Sequence, residues 1–258
     1  MKIKSELAGR TELWANSDRQ DCYKPIHKDG SVNQYGIRDI EYRYNDFGYR
    51  CDNFNDHNVI PIVYLGCSLT EGIGLPIEST WGYLLTERIR VVTNKKIPFW
   101  SLAQAARGID NQANLLYEFT RTHPIKYVFC LFPPPGRREY VCGSSNIHAW
   151  LPESGKIYGP AISHLFSDPN YIRHEDRKHW IILDLIRAEQ KAQIFTTSWQ
   201  HKEFDPNPIV DEFDQIISFN NMNNPGRPLD YARDGIHPGK SYHLNIAIEY
   251  WEKIKHLF

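Results

Sequence analysis

The chain has 258 residues, with 30 Lys and Arg against 31 Asp and Glu for a formal net charge of −1. That length is enough for one large α/β domain with a substantial core, and the near balance of charge argues against broad attraction to nucleic acid or to an anionic membrane. No run reaches the roughly 20 apolar residues needed to span a bilayer, and Met1-Lys2-Ile3-Lys4 leads into Ser5, Glu6 and Arg10 rather than into an apolar signal region.

The five cysteines, Cys22, Cys51, Cys67, Cys130 and Cys142, are odd in number and include no Cys-x-x-Cys pair. Neither a disulfide framework nor a zinc site is favoured, and a reducing, cytoplasmic setting fits this usage. His174 and His179 stand five apart on a predicted helix, a poor spacing for two metal ligands on one face, and no metal is expected.

Residues 1 to 57 are polar and broken by turns at Asn16-Ser17-Asp18 and Lys28-Asp29-Gly30-Ser31. Ile37 to Tyr44 and Phe47 to Phe54 read as short strands joined at Asn45-Asp46. No linker marks this part as independent, so it is expected to wrap the main domain as an N-terminal extension of a single-domain chain.

An alternation of strands and helices begins at Val59. The run Ile62-Val63-Tyr64-Leu65 is short, apolar and partly β-branched, and reads as a buried strand ending at Gly66. A helix is predicted over 78–91, a second strand over 97–102, a turn of small residues from Ser101 to Gly108, and a helix from Asp110 to Arg121. Lys126 to Phe132 is a third strand, apolar enough for burial on both faces as in a parallel sheet. Pro133-Pro134-Pro135-Gly136 stops it, and from Arg137 to Asn170 no period is evident, which reads as an irregular insertion beside the active site. Tyr171 to Gln190 is a predicted helix, Gln193 to Trp199 a fourth strand, 209–219 a short helix, and Lys240 to Phe258 the closing helix. The fold class is therefore α/β.

Two stretches carry the chemistry. In Gly66-Cys67-Ser68-Leu69-Thr70-Glu71-Gly72 a serine follows the end of a central strand, the edge at which open α/β sheets bind ligands. A phosphate-cradling loop is disfavoured, since the Gly-Lys-Ser/Thr ending is missing. Near the other end stands Arg233-Asp234-Gly235-Ile236-His237-Pro238-Gly239. An aspartate three residues before a histidine in a tight loop can hold one imidazole nitrogen and leave the other to take a proton from serine. Each stretch alone also suits a plain turn or a helix cap; together, serine first and Asp-x-x-His last, they point to nucleophilic catalysis.

These residues resemble the SGNH/GDSL hydrolase family. Gly66 to Gly72 looks like its first block with Cys67 where Asp is usual, Ser101 to Gly108 lies where its second block falls, and Asp234-Gly235-Ile236-His237-Pro238 is similar to its last block. The resemblance covers roughly 59–258 and implies a flavodoxin-like three-layer α/β/α sandwich with a mostly parallel sheet, and hydrolysis of carboxylic esters, often acetyl groups on sugars. By position it implies Ser68 as nucleophile, His237 as general base, Asp234 as its orienting carboxylate, and the N–H groups of Ser68 and Ala106 as the oxyanion hole. Alanine stands where the second block usually has glycine, and Pro134 lies nearest the usual third-block Asn, whose side chain would donate to the oxyanion.

After the proline run, Gly136 permits a turn that would bring Arg137 or Arg138 back over the pocket, where a guanidinium suits an oxyanion or an anionic substrate group. Solvation, or pairing with Glu139, is the plainer role for both. The expected activity is a serine esterase acting on a short acyl ester of a carbohydrate or other small molecule, with no cofactor. An acyltransferase on the same three residues, and a binding module that has lost catalysis, are the alternatives. Cys67 is expected to be a buried packing residue.

Overall fold

The computed structural model describes residues 4–55, 60–133, 137–142, 145–149, 168–198 and 230–258. Two short strands, β1 (Thr11–Glu12) and β2 (Tyr42–Arg43), pair antiparallel in the N-terminal part. The main alternation follows: β3 (Ile62–Gly66), α1 (Ser68–Glu71), α2 (Trp81–Thr93), β4 (Trp100–Ser101), α3 (Ile109–Thr120) and β5 (Tyr127–Phe132). After these come β6 (Arg138–Cys142), β7 (Ser145–Ala149), α4 (Pro169–Gln190), β8 (Gln193–Ser198) and α5 (Lys240–Ile254).

The central sheet has the order β4-β3-β5-β8, with every pairing parallel. Side chains alternate across a strand, and here both sets are apolar. Val63 and Leu65 of β3, Val128, Cys130 and Phe132 of β5, and Ile194 of β8 pack beneath Leu116 and Phe119 of α3 and Leu183 and Ile186 of α4. The intervening residues, Ile62, Tyr64, Phe129, Leu131 and Phe195, face Trp81, Leu85 and Ile89 of α2 and Ile246, Tyr250 and Ile254 of α5. Two such cores on one sheet are what a three-layer sandwich requires, and they account for the near-continuous apolar runs in β3 and β5. Some of the polar groups inside are hydrogen-bonded, whereas Thr196 Oγ1 of β8 is buried without a partner among the described residues. The Tyr250 hydroxyl donates to the Cys130 carbonyl at 2.6 Å, and the hydroxyls of Tyr64 and Thr86 share a hydrogen bond of 2.8 Å.

Several elements differ from the sequence expectation for local reasons. The strand expected over 97–102 is reduced to Trp100–Ser101. Pro98 has no N–H to give a ladder, and the Phe99 N–H is taken by the Asp52 carboxylate at 2.8 Å. Phe47 to Phe54 is not a strand, because the Asn45 side chain accepts the N–H groups of Phe47 and Tyr49, both at 3.0 Å, and folds the segment into a turn. Of Ile37 to Tyr44 only Tyr42–Arg43 is strand. The helix expected from residue 78 starts at Trp81, after a single 3₁₀ turn at Ile77–Ser79.

The largest correction falls on 137–170, expected to be irregular: its first part is the β6–β7 hairpin, in register from Arg138↔Ala149 to Cys142↔Ser145. The sequence between the strands is Gly143-Ser144, a glycine-first pair of the kind that favours two-residue hairpin connections. The short helix expected over 209–219 lies outside the described residues. Among the described residues, no helix is long and apolar enough to cross a membrane.

Gly66 closes β3 where nothing larger fits: a Cβ there would lie 1.8 Å from Thr70 Oγ1 and 3.0 Å from the Leu131 carbonyl oxygen. Gly66→Ala is therefore expected to destabilise the protein by about 2–3 kcal/mol, as overpacked sites do, read as a fall in the urea midpoint. An unchanged midpoint would show that the β3–α1 turn is looser than described.

Candidate active site

The end of β3 aims the first functional side chain. The chain leaves Gly66 through Cys67, and α1 begins at once, with the Thr70 and Glu71 N–H groups both donating to the Cys67 carbonyl. Ser68 is thus the first residue of α1, half-buried at the carboxyl edge of the sheet between β4 and β5. Its neighbours Cys67, Leu69, Thr70 and Glu71 are buried. Cys67, 1% exposed, is enclosed as a small packing residue would be.

The loop before α5 supplies the partners. Its base is fixed by Asp230, whose carboxylate accepts the Ser241 N–H and whose carbonyl accepts the Gly239 N–H at 2.8 Å. Gly235 turns the loop at φ +66, and a Cβ there would meet His27 Nδ1 at 2.8 Å. Asp234 and His237 are thereby folded onto each other. Asp234 Oδ1 accepts the N–H groups of Ile236 and His237 at 3.0 Å each, and Oδ2 takes His237 Nδ1 at 2.6 Å. With Nδ1 donating its proton to the carboxylate, Nε2 is left to accept, and it lies 2.7 Å from Ser68 Oγ. Ser68, His237 and Asp234, brought from 169 residues apart along the chain, form one hydrogen-bonded line.

Burial alone would raise the Asp234 carboxyl, but its bonds to the His237 ring and the charge there outweigh it, helped by the two backbone N–H groups, and hold it below its ordinary value. His243, in the first turn of α5, is pushed down to about 3, by burial first and by the charge on His237 second. It is neutral at pH 7, and its Nδ1 accepts the Trp81 N–H at 3.1 Å.

Sequence reasoning missed what holds this loop in place. Arg233, immediately before Asp234, is 1% exposed and pairs with the equally buried Asp18, with N–O distances of 2.6–3.1 Å. Arg233 also donates to the carbonyls of Leu13, Gly36 and Ile37, and its guanidinium lies 4.0 Å from the Trp14 ring centroid. The Tyr42 hydroxyl donates to Asp18 at 2.6 Å and accepts the Gly74 N–H at 2.8 Å, while the Arg233 N–H donates to the Gly74 carbonyl. Ser17 Oγ donates to Asp234 Oδ2 at 2.8 Å. The Asp18–Arg233 and Ser17–Asp234 contacts span more than 200 residues, and the sequence near Asn16-Ser17-Asp18 showed only a turn. An arginine directly before the Asp-x-x-His stretch was the one available hint, since a charge there needs a partner once buried.

On the other side of Ser68 lies the segment Ser101 to Gly108. Ala106, exposed, has φ +64, the left-handed conformation that glycine favours. The buried Glu71 carboxylate fixes this loop by accepting the Ala105 N–H at 2.6 Å, and it also accepts the Tyr44 hydroxyl at 3.3 Å. Burial raises the Glu71 carboxyl, with the Ala105 N–H and the Arg50 charge opposing.

Arg137 is 8% exposed and packs at Ser68's neighbour: its side chain hydrogen-bonds Cys67, and a Cβ on Gly108 would lie 2.1 Å from the Arg137 carbonyl oxygen. Arg138 starts β6, and its side chain, like Pro134, falls outside the described residues. Among the described residues, no group of three or more His, Cys, Asp or Glu is arranged to hold a metal ion.

No family model matches the chain, and no curated protein is similar to it in sequence. Solved structures are similar in fold. TesA superposes with a TM-score of 0.50 at 14% identity, covering 77% of this chain and 99% of TesA. An acetyl xylan esterase, AlAXEase, gives 0.47 at 12% identity over 76% of this chain and 100% of its own. The psychrotrophic esterase EstA from Pseudoalteromonas sp. gives 0.45 at 13% identity over 77% and 98%. The likeness to TesA shows a shared fold, and the mostly parallel sheet between two helical layers is the SGNH hydrolase arrangement that the blocks around Ser68 and His237 led us to expect.

Removing one partner of a buried ion pair leaves the other charge uncompensated, at about 3–5 kcal/mol. Asp18→Ala is expected to lose stability on that scale in urea denaturation. A loss below about 1 kcal/mol would mean that the pair is wetter, and less important to the loop, than its burial implies.

Proposed function

We propose that this chain is a serine hydrolase of carboxylic esters, working through an acyl-enzyme on Ser68. The observation that carries the reading is the line Ser68 Oγ, His237 Nε2, His237 Nδ1, Asp234 Oδ2, with both hydrogen bonds at 2.6–2.7 Å. As Ser68 Oγ attacks the ester carbonyl, its proton passes to His237 Nε2. Asp234 holds the ring in the tautomer that can accept that proton and stabilises the imidazolium that results. The tetrahedral intermediate collapses, His237 protonates the leaving alkoxide, and the alcohol departs. Water then loses a proton to His237 and attacks the acyl-enzyme, releasing the acid and restoring Ser68.

The developing oxyanion is assigned to the N–H groups of Ser68 and Ala106. One such donor is worth about 3–4 kcal/mol, whereas an alanine in the left-handed region costs about 1–2 kcal/mol. The strain at Ala106 is the smaller quantity, so glycine is not required there. With Pro134 nearest the usual position of the third donor, the Arg137 guanidinium, which reaches Cys67 next to Ser68, is the group assigned to supply another. The substrate is read as a short acyl, chiefly acetyl, ester of a carbohydrate or other small molecule. No step requires a cofactor.

Ser68→Ala should lower kcat on a short-chain aryl ester by at least about a thousandfold with unchanged circular dichroism; retention of more than a few per cent of activity contradicts the reading. Arg137→Ala separates two roles. If the guanidinium meets the oxyanion, kcat falls about a hundredfold on neutral and anionic esters alike. A rise in KM confined to the anionic ester would instead make Arg137 a substrate-binding group.

A further inference from the structure

We propose that Ser17, in the N-terminal segment, is a positioning residue of the active site that acts through Asp234. The inference rests on the esterase reading for its kinetic consequence and on geometry for the contact itself. The Asp234 side chain is fully buried, so every lone pair on its carboxylate must be met by the protein. An ionised carboxylate offers about four acceptor sites, and four donors reach it. They are the Ile236 and His237 N–H groups on Oδ1, and His237 Nδ1 and Ser17 Oγ on Oδ2. Ser17 Oγ is also 3.5 Å from His237 Nδ1, so the hydroxyl lies beside the bond that orients the imidazole. Three of the donors belong to the loop that carries Asp234 and move with it. Ser17 is the one fixed from outside, and it sets the carboxylate plane relative to the rest of the molecule.

The backbone around Ser17 is held for this purpose on both sides. Ala15 and Asp18 exchange N–H to carbonyl bonds of 2.9 and 3.0 Å, closing a tight turn with Asn16 and Ser17 at its tip. Asn16 adopts φ +53, a conformation that asparagine tolerates better than most residues. Next to Ser17, Asp18 is locked to Arg233, the residue next to Asp234. Ser17 with Asp234 and Asp18 with Arg233 are thus two successive pairs across the same junction, and the buried ion pair fixes the distance at which the serine hydroxyl meets the carboxylate. A serine serving only to close the turn would have no reason to aim its oxygen at Oδ2.

The experiment compares wild type, Ser17→Ala, Ser17→Thr and Ser68→Ala on a short-chain aryl ester, with melting temperatures. The low-field proton resonance of the His237 ring, assigned by its loss in His237→Ala, is followed in parallel. Ser17→Ala is expected to lower kcat about tenfold, or about 1.4 kcal/mol, with KM within twofold and a melting temperature within a few degrees of wild type. Ser17→Thr, which keeps the hydroxyl, is expected to recover most of the loss, and the His237 resonance should shift in the alanine variant and return in the threonine one. Activity of Ser17→Ala within twofold of wild type, or a loss matched by a fall in melting temperature that threonine does not restore, overturns the proposal. Wild-type turnover no faster than that of Ser68→Ala would sink the esterase reading instead. The resonance then decides alone, an unmoved signal in Ser17→Ala counting against Ser17 and a displaced one for it.

Discussion

The buried ion pair between Asp18 and Arg233 ties the two ends of the chain together, and the candidate site exists where it does because of that tie. Taking both charges out of water is expensive, and the cost is met by close geometry. Asp18 accepts from the Arg233 guanidinium and from Tyr42, and Arg233 spends its remaining donors on three carbonyls of the N-terminal segment. A hydrophobic pair would fill the same space with less desolvation, but it would not fix the angle at which residue 234 leaves residue 233. That angle decides whether His237 Nε2 reaches Ser68. Residues before β3 are therefore part of the site's scaffold.

Two acidic side chains flank the site, and their surroundings shift them in opposite directions. Asp234 is held down by donors and by the adjacent imidazole, so it stays charged and can support an imidazolium. Glu71 is pushed up by burial and works through a bond to a backbone N–H, fixing the loop that carries Ala106. Similar groups a short way apart are assigned to different tasks by what surrounds them, as in other sites that pair two acids. Around them the sheet does the plainer work. Gly66, with no room for a side chain, delivers Ser68 at the carboxyl edge, and the apolar faces of β3 and β5 anchor that edge against both helical layers.

Much of this was legible in the sequence because it is local. The apolar runs of β3 and β5, the helical periods of α2, α3, α4 and α5, and the Asp-x-x-His spacing are each patterns written within a few neighbouring residues, whatever those residues later pack against. What the sequence hid was long-range or competitive. Asn45 captures backbone donors that a strand over 47–54 would have needed, and Asp52 takes the Phe99 N–H, shortening β4. The β6–β7 hairpin was overlooked although Gly143-Ser144 stood between two strand-forming runs. The partnership of residues 17 and 18 with 234 and 233 leaves no periodic trace, since it joins turns at opposite ends of the chain.

The most direct test of the account is covalent. A fluorophosphonate ester reacts with a serine whose proton can be withdrawn by an aligned imidazole, and peptide mass spectrometry locates the adduct. The account predicts a single stoichiometric adduct on Ser68, with its formation lost in His237→Ala and strongly slowed in Asp234→Asn. An unlabelled protein, an adduct on Cys67 or elsewhere, or labelling of Ser68 that proceeds equally fast without His237 would contradict it.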